Sequence, residues 1–99
     1  MQAHYAERFE RDMACTEAEW LRWLPQAMGA HPWQRQGASL RADIDQGQLA
    51  IDWQVVTPRA IALMRLPRLV VAFHFSGLDD AQRHRFMKRF DLYMLRGGG

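Results

Sequence analysis

Three sets of residues carry side chains whose chemistry could define a functional site. His74 is followed closely by Asp79 and Asp80, and an imidazole beside carboxylates can transfer protons or help to bind a metal ion. The single cysteine, Cys15, stands directly before a predicted helix, whose N-terminus can lower the pKa of a thiol. The third set consists of four cations on the last predicted helix, which could contact phosphates: Arg83, Arg85, Lys88 and Arg89.

Each of these sets also has an interpretation that needs no ligand. The four histidines, at positions 4, 31, 74 and 84, share no H-x-x-x-H or similar ligand spacing. Asp79 fits a helix N-cap, and Asp80 would be stabilised near the positive helix N-terminus. Cys15 fits a small buried apolar position before a capping box. We therefore expect no catalytic residue, metal or cofactor, and a small enzyme or ligand-binding protein with a site near His74, Asp79 and Asp80 is the alternative.

The charge of the chain is unevenly distributed, although its formal net charge is only +2. Residues 1–30 carry three arginines and five carboxylates, whereas residues 81–99 carry five cations and one carboxylate. Opposite charges at the two ends can attract each other within one molecule or between two. Such pairs explain the basic helix without a ligand, so nucleic-acid binding through that helix is a further alternative that the sequence disfavours.

The chain ends in the sequence Leu95-Arg96-Gly97-Gly98-Gly99. The Leu-Arg-Gly-Gly part is similar to the carboxyl tail of ubiquitin-like modifiers and sulfur carriers, in which two glycines follow a final β-strand. Here the preceding residues have the period of an amphipathic helix, with Phe86, Phe90 and Met94 on one face. We therefore interpret residues 97–99 as the end of that helix and a flexible tail.

Capping signals and apolar periodicity define the first predicted helix. Thr16 and Glu19 form a T-x-x-E capping box, which predicts a helix from about residue 17. Pro25 should make this helix kink or restart, and Gly29 should end it before a loop at residues 30–37. The apolar side chains of the helix lie on one stripe: Trp20, Trp23, Leu24, Ala27 and Met28.

The middle of the chain changes from helical periodicity to the alternation of β-strands. Strands are predicted near residues 40–44, 49–55, 59–65 and 68–75. A glycine turn at 46–47, a break at Thr57-Pro58 and a tight turn at Leu66-Pro67 separate them. Because these connections are short, the four strands should form an antiparallel meander.

These elements predict one α+β domain over residues 1–99. It is a four-stranded antiparallel meander with an N-terminal and a C-terminal helix packed on it, in the order α-β-β-β-β-α. The segment 1–15 is expected to be partly ordered, because a four-residue spacing of apolar side chains would place them on one face of a short helix. The C-terminal helix is expected to pack on a row of sheet residues: Trp53, Ile61, Leu63, Val71 and Phe73.

Predicted strands three and four indicate an interaction surface. Both strands carry apolar residues on both faces, and a sheet face with apolar residues needs to be covered. The fourth strand would also be an edge without charge or proline from Leu69 to Phe75, whereas natural edges are protected. The second face could be covered by the N-terminal helix, by a small ligand or by a partner. Its residues are Ala60, Ala62, Met64, Val70, Ala72 and His74.

The function that best fits these features is a small non-enzymatic protein-interaction module. It would act as a homodimer or dock on another protein. A single cysteine allows no internal disulfide, and no apolar run approaches the roughly 20 residues that cross a bilayer, so we expect a cytoplasmic protein without membrane contact.

Overall fold

A five-stranded antiparallel sheet carries two helices on one of its faces. The computed structural model describes residues 4–98. Across the sheet the strand order is β1-β5-β4-β3-β2, so the α+β class with an antiparallel sheet and two helices is confirmed. The elements in chain order are β1 (Arg8–Met13), α1 (Glu17–Met28), β2 (Trp33–Gln36), β3 (Ser39–Ile44), β4 (Gly47–Ile61), β5 (Met64–Ser76) and α2 (Asp80–Gly98).

The prediction of a four-stranded meander is wrong in its strand count and boundaries. The predicted second strand and residues 59–61 of the predicted third form one strand, β4, because Thr57-Pro58 does not end the ladder. The predicted turn at Leu66-Pro67 lies inside β5, which begins at Met64. The pairing of β4 with β5 instead shifts between Val56 and Arg59 and then continues to the end of the hairpin. A bulge tolerates Pro58, since proline has no amide to donate to a ladder. The turn lies at residues 62–63, where Ala62 has a φ of 54°.

Both edges of the sheet come from segments that were not predicted as strands. Residues 33–36, predicted as part of a loop, form β2 and pair with β3. The segment before Cys15 forms β1 rather than a short helix, and β1 pairs with β5 from Arg8↔His74 to Met13↔Leu69. The β5 edge, predicted to be unprotected, is therefore covered by a strand of the same chain. Residues 1–3 and 99 lie outside the described part of the chain.

Aromatic rings join the sheet to the helices. The ring of Trp20 on α1 is fully buried, and its centroid lies 5.6 Å from that of Trp53 on β4 and 6.0 Å from that of Phe90 on α2. Phe90 in turn meets Phe73 on β5 edge to face at 5.5 Å. Such ring pairs add to the free energy of burial. One core thus lies between the sheet and both helices.

The packing predicted for α2 is confirmed for its own side chains and for part of the sheet row. Phe86, Phe90 and Met94 are buried, as are Trp53, Val71 and Phe73. Ile61 and Leu63 are exposed instead, at 52% and 102%, so their predicted place in the core is wrong. The reason is that β4 and β5 continue past the helices after the bulge.

The ends of the helices follow the capping signals. The Thr16 Oγ1 accepts a hydrogen bond from the Glu19 amide at 3.1 Å, and the Glu19 carboxylate accepts one from the Thr16 amide at 2.9 Å. Helix α1 continues through Pro25, and Gly29, at a φ of 64°, caps it by donating to the Pro25 carbonyl. Helix α2 continues to Gly98, so the predicted end at Gly97 is one residue too early.

Truncating Phe90 tests the docking of α2. Because this ring is fully buried between Trp20 and Phe73, Phe90→Ala should lower the free energy of unfolding by about 3–5 kcal/mol. Chemical denaturation measures this loss. The control Leu92→Ala removes a half-exposed side chain from the same helix and should change the free energy of unfolding by about 0.5 kcal/mol or less. A loss below about 1 kcal/mol for Phe90→Ala would contradict the docking.

Candidate interaction surface

Within residues 4–98, no helix or strand packs on the face of the sheet opposite the helices, and we call this face the open face. The buried side chains of β4 and β5 alternate with those of the open face. Val70 and Ala72 on β5 are therefore turned away from α1, which packs with α2 over Trp53. Both are half-buried by their neighbours in the sheet. The N-terminal helix thus does not cover the predicted second face.

Charges flank the centre of the open face in two rows. In the first row Ala72 lies between Glu10 on β1 and Asp52 on β4. In the next row His74 lies between Arg8 on β1 and Ala50 on β4, and Ala50 faces Arg41 on β3. One row is therefore acidic around a small residue, and the neighbouring row is basic.

A shallow depression lies where these two rows meet. It has a volume of about 380 Å³, and Ala72 leaves space at its centre because its side chain is a single methyl group. Exposed charged groups surround a small apolar centre, so the depression can accept an apolar side chain accompanied by charges. The residues lining it are Arg8, Phe9, Glu10, Asp52, Ala72, Phe73 and His74.

Beyond the last β1 pair, the hairpin of β4 and β5 projects from the sheet, and we call its residues 57–67 the arm. In the described part of the chain, the arm residues pair only with each other: Arg59 with Leu66, Ala60 with Arg65, and Ile61 with Met64. The tip of the arm is apolar and exposed, with Leu63 fully exposed and Met64 exposed at 62%. Exposed apolar side chains that adjoin each other commonly mark contact sites.

The bulge decides which side chains of the arm share the open face. Before the bulge, the even-numbered residues of β4 face this side, whereas Ile61 takes this direction after the register shift because it pairs with Met64. Five apolar residues of the open face lie between the tip of the arm and the centre of the face, with Arg68 between Leu66 and Val70, and we call them the apolar strip: Ile61, Met64, Leu66, Val70 and Ala72.

The six residues predicted as an interaction surface are only partly brought together. Met64, Val70, Ala72 and His74 share the open face along β5. Ala60 pairs with Arg65 on the other side of the arm, and Ala62 lies in the turn. Sequence reasoning missed Ile61 and Leu66, since strict alternation through residue 58 assigns Ile61 to the core. The proline inside an alternating run was the one signal of a bulge.

A carboxylate on β1 holds the base of the arm. Asp12 accepts hydrogen bonds from the Nη2 of Arg68 at 2.6 Å and from its Nε at 3.1 Å, and the Nη2 of Arg59 lies 3.6 Å away. The hydrogen bond from Arg68 lowers the pKa of the Asp12 carboxyl. No acidic residue occurs between Asp52 and Asp79, so the arm is basic as well as apolar.

The proposed acid–base group does not assemble in the described structure. His74 is exposed on the open face, whereas Asp79 caps α2 by accepting a hydrogen bond from the Gln82 amide at 2.8 Å. Asp80 pairs with the Nδ1 of His4 at 2.6 Å. Among residues 4–98, no hydrogen bond or ion pair joins His74 to either aspartate, and no group of three or more possible metal ligands occurs.

Three of the four helix cations have partners within the chain. Arg83 donates from Nε to the Tyr5 carbonyl at 2.8 Å and from Nη1 to the Leu78 carbonyl at 2.7 Å, and its side chain is only 11% exposed. Arg89 donates to the Gln26 carbonyl at 3.3 Å and lies over the Tyr93 ring. Arg85 lies 3.8 Å from Asp45, and Lys88 is exposed. The cations therefore contribute mainly to joining α2 with the neighbouring elements.

A second cluster ties the N-terminal segment to α2. The Tyr5 hydroxyl donates to Asp91 Oδ2 at 2.8 Å, and Arg11 donates to both oxygens of Asp91. Desolvation, followed by the hydrogen bond to Asp91, raises the pKa of Tyr5. These contacts join β1 and the segment before it to α2 with signs opposite to those expected, since the cation lies on β1 and the carboxylate on α2. Among the described residues, no ion pair joins a carboxylate of the N-terminal segment to a cation of α2.

Comparison with protein-family models, with curated proteins and with solved structures finds no match for this chain. Within the described residues, no helix has both the length and the apolar character needed to cross a membrane.

Replacing Arg83 tests whether the cations of α2 are structural. Because Arg83→Ala removes two partly buried hydrogen bonds from a charged donor, it should lower the free energy of unfolding by about 1.5–3 kcal/mol in chemical denaturation. Arg85→Ala is the control, since Arg85 is 71% exposed and should change that free energy by about 0.5 kcal/mol or less. Equal losses for both variants would contradict the structural role of Arg83.

The thiol of Cys15 should be unreactive in the folded protein. Burial, with a further contribution from Glu19, raises its pKa to about 11, so the helix N-terminus does not lower it. The side chain is buried, as expected for a small apolar position before the capping box. Since the folded state holds this proton more tightly than the unfolded state, the corresponding stability is complete below the unfolded pKa of about 8.5 and is lost as pH rises towards 11. Alkylation at pH 8 should be slow until denaturant is added. Rapid alkylation of the folded protein would contradict the burial.

Proposed function

We propose that this protein is a non-enzymatic interaction module that acts as a homodimer, with the apolar strip and the arm as its contact surface. The observation that carries the proposal is the uncovered strip: both helices pack on the opposite face of the sheet, and Ile61 and Met64 are more than half exposed. A second copy would remove these side chains from water.

The contact in this proposal uses a sheet face and not a sheet edge. β1 covers the β5 edge and carries a charged residue at Arg8, Glu10 and Asp12, which disfavours the addition of another strand. The proline at position 58 and the arginine at position 65 protect the two sides of the arm in the same way. Association through side chains of the open face remains available to the folded chain.

The distribution of polar groups supports a protein partner over the two alternatives. Arg59 and Arg68 lie against Asp12, and a phosphate at the base of the arm would have to compete with that carboxylate. His74 lies in an open depression and contacts no acidic side chain among the described residues, whereas catalysis needs converging groups. A second copy offers both acidic and apolar groups, which match the composition of the arm.

Sedimentation velocity at micromolar concentrations tests the homodimer. The unaltered protein should sediment as a dimer, and Ile61→Lys should raise the dissociation constant by about 10-fold or more, because a charge would be buried without a partner. Ile61 lies outside the core, so this variant should keep its thermal stability. Val70→Lys should act in the same way near the middle of the strip.

Leu92→Lys is the matched control. Leu92 is a half-exposed apolar residue on α2, on the opposite side of the sheet, so a lysine there should leave association unchanged. A strict monomer at these concentrations would refute the homodimer. Equal weakening by Ile61→Lys and Leu92→Lys would refute the assignment of the contact to the strip.

A further inference from the structure

We infer that the second copy lies antiparallel across the open face, so that the arm tip of each copy occupies the depression beside Ala72 and His74 of the other. This inference rests on the proposed homodimer and specifies its geometry. It requires that the open face be complementary to itself after a twofold rotation, since a twofold interface brings residue i to j and j to i.

Charge along the open face has this self-complementarity. Arg59 is the cross-strand partner of Leu66, whereas Ala72 has a carboxylate on each side, Glu10 on β1 and Asp52 on β4. A twofold axis near position 69 of β5 superposes the row of residue 66 on the row of residue 72 of the other copy. Because this rotation places β4 over β4, each Arg59 would then face Asp52 of the acidic row, and this would happen twice in one dimer.

The shape of the surface fits the same arrangement. About the same axis, Met64 reaches the row of His74, where the depression of about 380 Å³ has the small side chain of Ala72 at its centre. Met64 and Ile61 form one cross-strand pair of flexible and branched apolar side chains at the arm tip. An unbranched methionine adapts readily to a shallow apolar depression. The protruding arm tip of one copy therefore lies opposite the depression of the other copy.

The distance between positions 64 and 74 along β5 allows the antiparallel arrangement to be tested by cross-linking. Residues 64 and 74 are ten positions apart, which corresponds to about 33 Å at about 3.3 Å per residue. In the antiparallel dimer, position 64 of one copy therefore faces position 74 of the other, whereas the two copies of position 64 lie about 33 Å apart. A tip-to-tip dimer has the opposite pattern.

Cysteine cross-linking between two differently tagged copies separates these patterns. One copy carries Met64→Cys, the other carries His74→Cys, and a short bismaleimide joins them, because facing sheets lie about 10 Å apart and a disulfide cannot span that distance. Both sites are exposed, and the buried Cys15 should not react. The mixture should give a cross-linked heterodimer, and either variant alone should give little product. The control pairs Leu92→Cys with His74→Cys and should remain uncross-linked.

Charge exchange provides the second measurement. Arg59→Glu should weaken association by about tenfold, and so should Asp52→Arg, because like charges would then face each other. Mixing the two variants should restore most of the affinity, since each altered charge meets its opposite in the heterodimer. Both positions are exposed, but Arg59 also lies 3.6 Å from Asp12 of its own chain. Because that internal contact is altered equally in the mixed sample, recovery of affinity on mixing shows that the loss is intermolecular.

The outcomes distinguish this inference from the homodimer itself. A dimer in which Met64→Cys cross-links to itself, or in which 64 and 74 give no product and the charge exchange fails, would overturn the antiparallel arrangement and leave the homodimer in place. A monomer by sedimentation would overturn both. Cross-linking of 64 to 74 together with rescue by the charge exchange would establish the arrangement.

Discussion

The bulge between Val56 and Arg59 is the constraint on which the surface of this protein depends. Because the β4–β5 ladder shifts there and then continues, the hairpin extends beyond the core instead of ending at Pro58. The shift also turns Ile61 to the side of Met64 and Val70. Without it, Ile61 would face the helical side of the sheet, and the apolar strip would end near Leu66. The shift in pairing thus produces an exposed arm and places Ile61 on the open face with the other residues of the apolar strip, which Arg68 interrupts.

On the helical side of the sheet, the aromatic and charged side chains mostly contact other residues of the same chain. Trp20, Phe73 and Phe90 join three elements in one core, while Arg11 and Arg83 attach the N-terminal segment to α2 through hydrogen bonds. The polar contacts of Arg11 and Arg83 rigidify this side of the fold, whereas the buried Nε1 of Trp20 has no hydrogen-bond partner among the described residues. The open face differs, since its charges are exposed and arranged in rows around small or apolar residues. This asymmetry between the two faces is the physical basis for assigning the contact surface to the open face.

The sequence was sufficient to predict the features that depend on short-range patterns. The capping box at Thr16 and Glu19 and the apolar face of α2 follow from residues within a few positions of each other, and the structure confirms them. β1 was missed because a four-residue spacing of Phe9 and Met13 fits one face of a strand as well as one face of a helix. The bulge was missed because the effect of Pro58 depends on its pairing with β5, a strand that follows it in the chain. The six residues predicted as an interaction surface accordingly share the open face only in part, and Ile61, which was assigned to the core, lies on that face.

If two copies associate as proposed, the apolar strip becomes covered. Hydroxyl-radical footprinting across a range of protein concentrations tests this most directly. Ile61, Met64 and Leu92 are all about half exposed or more in the single chain, so radicals should label all three in dilute solution. As concentration rises through the dissociation constant, labelling of Ile61 and Met64 should fall, because the second copy excludes water from the strip. Labelling of Leu92, on the helical side, should stay constant. Constant labelling of all three residues, in a sample that sedimentation identifies as a dimer, would contradict the account.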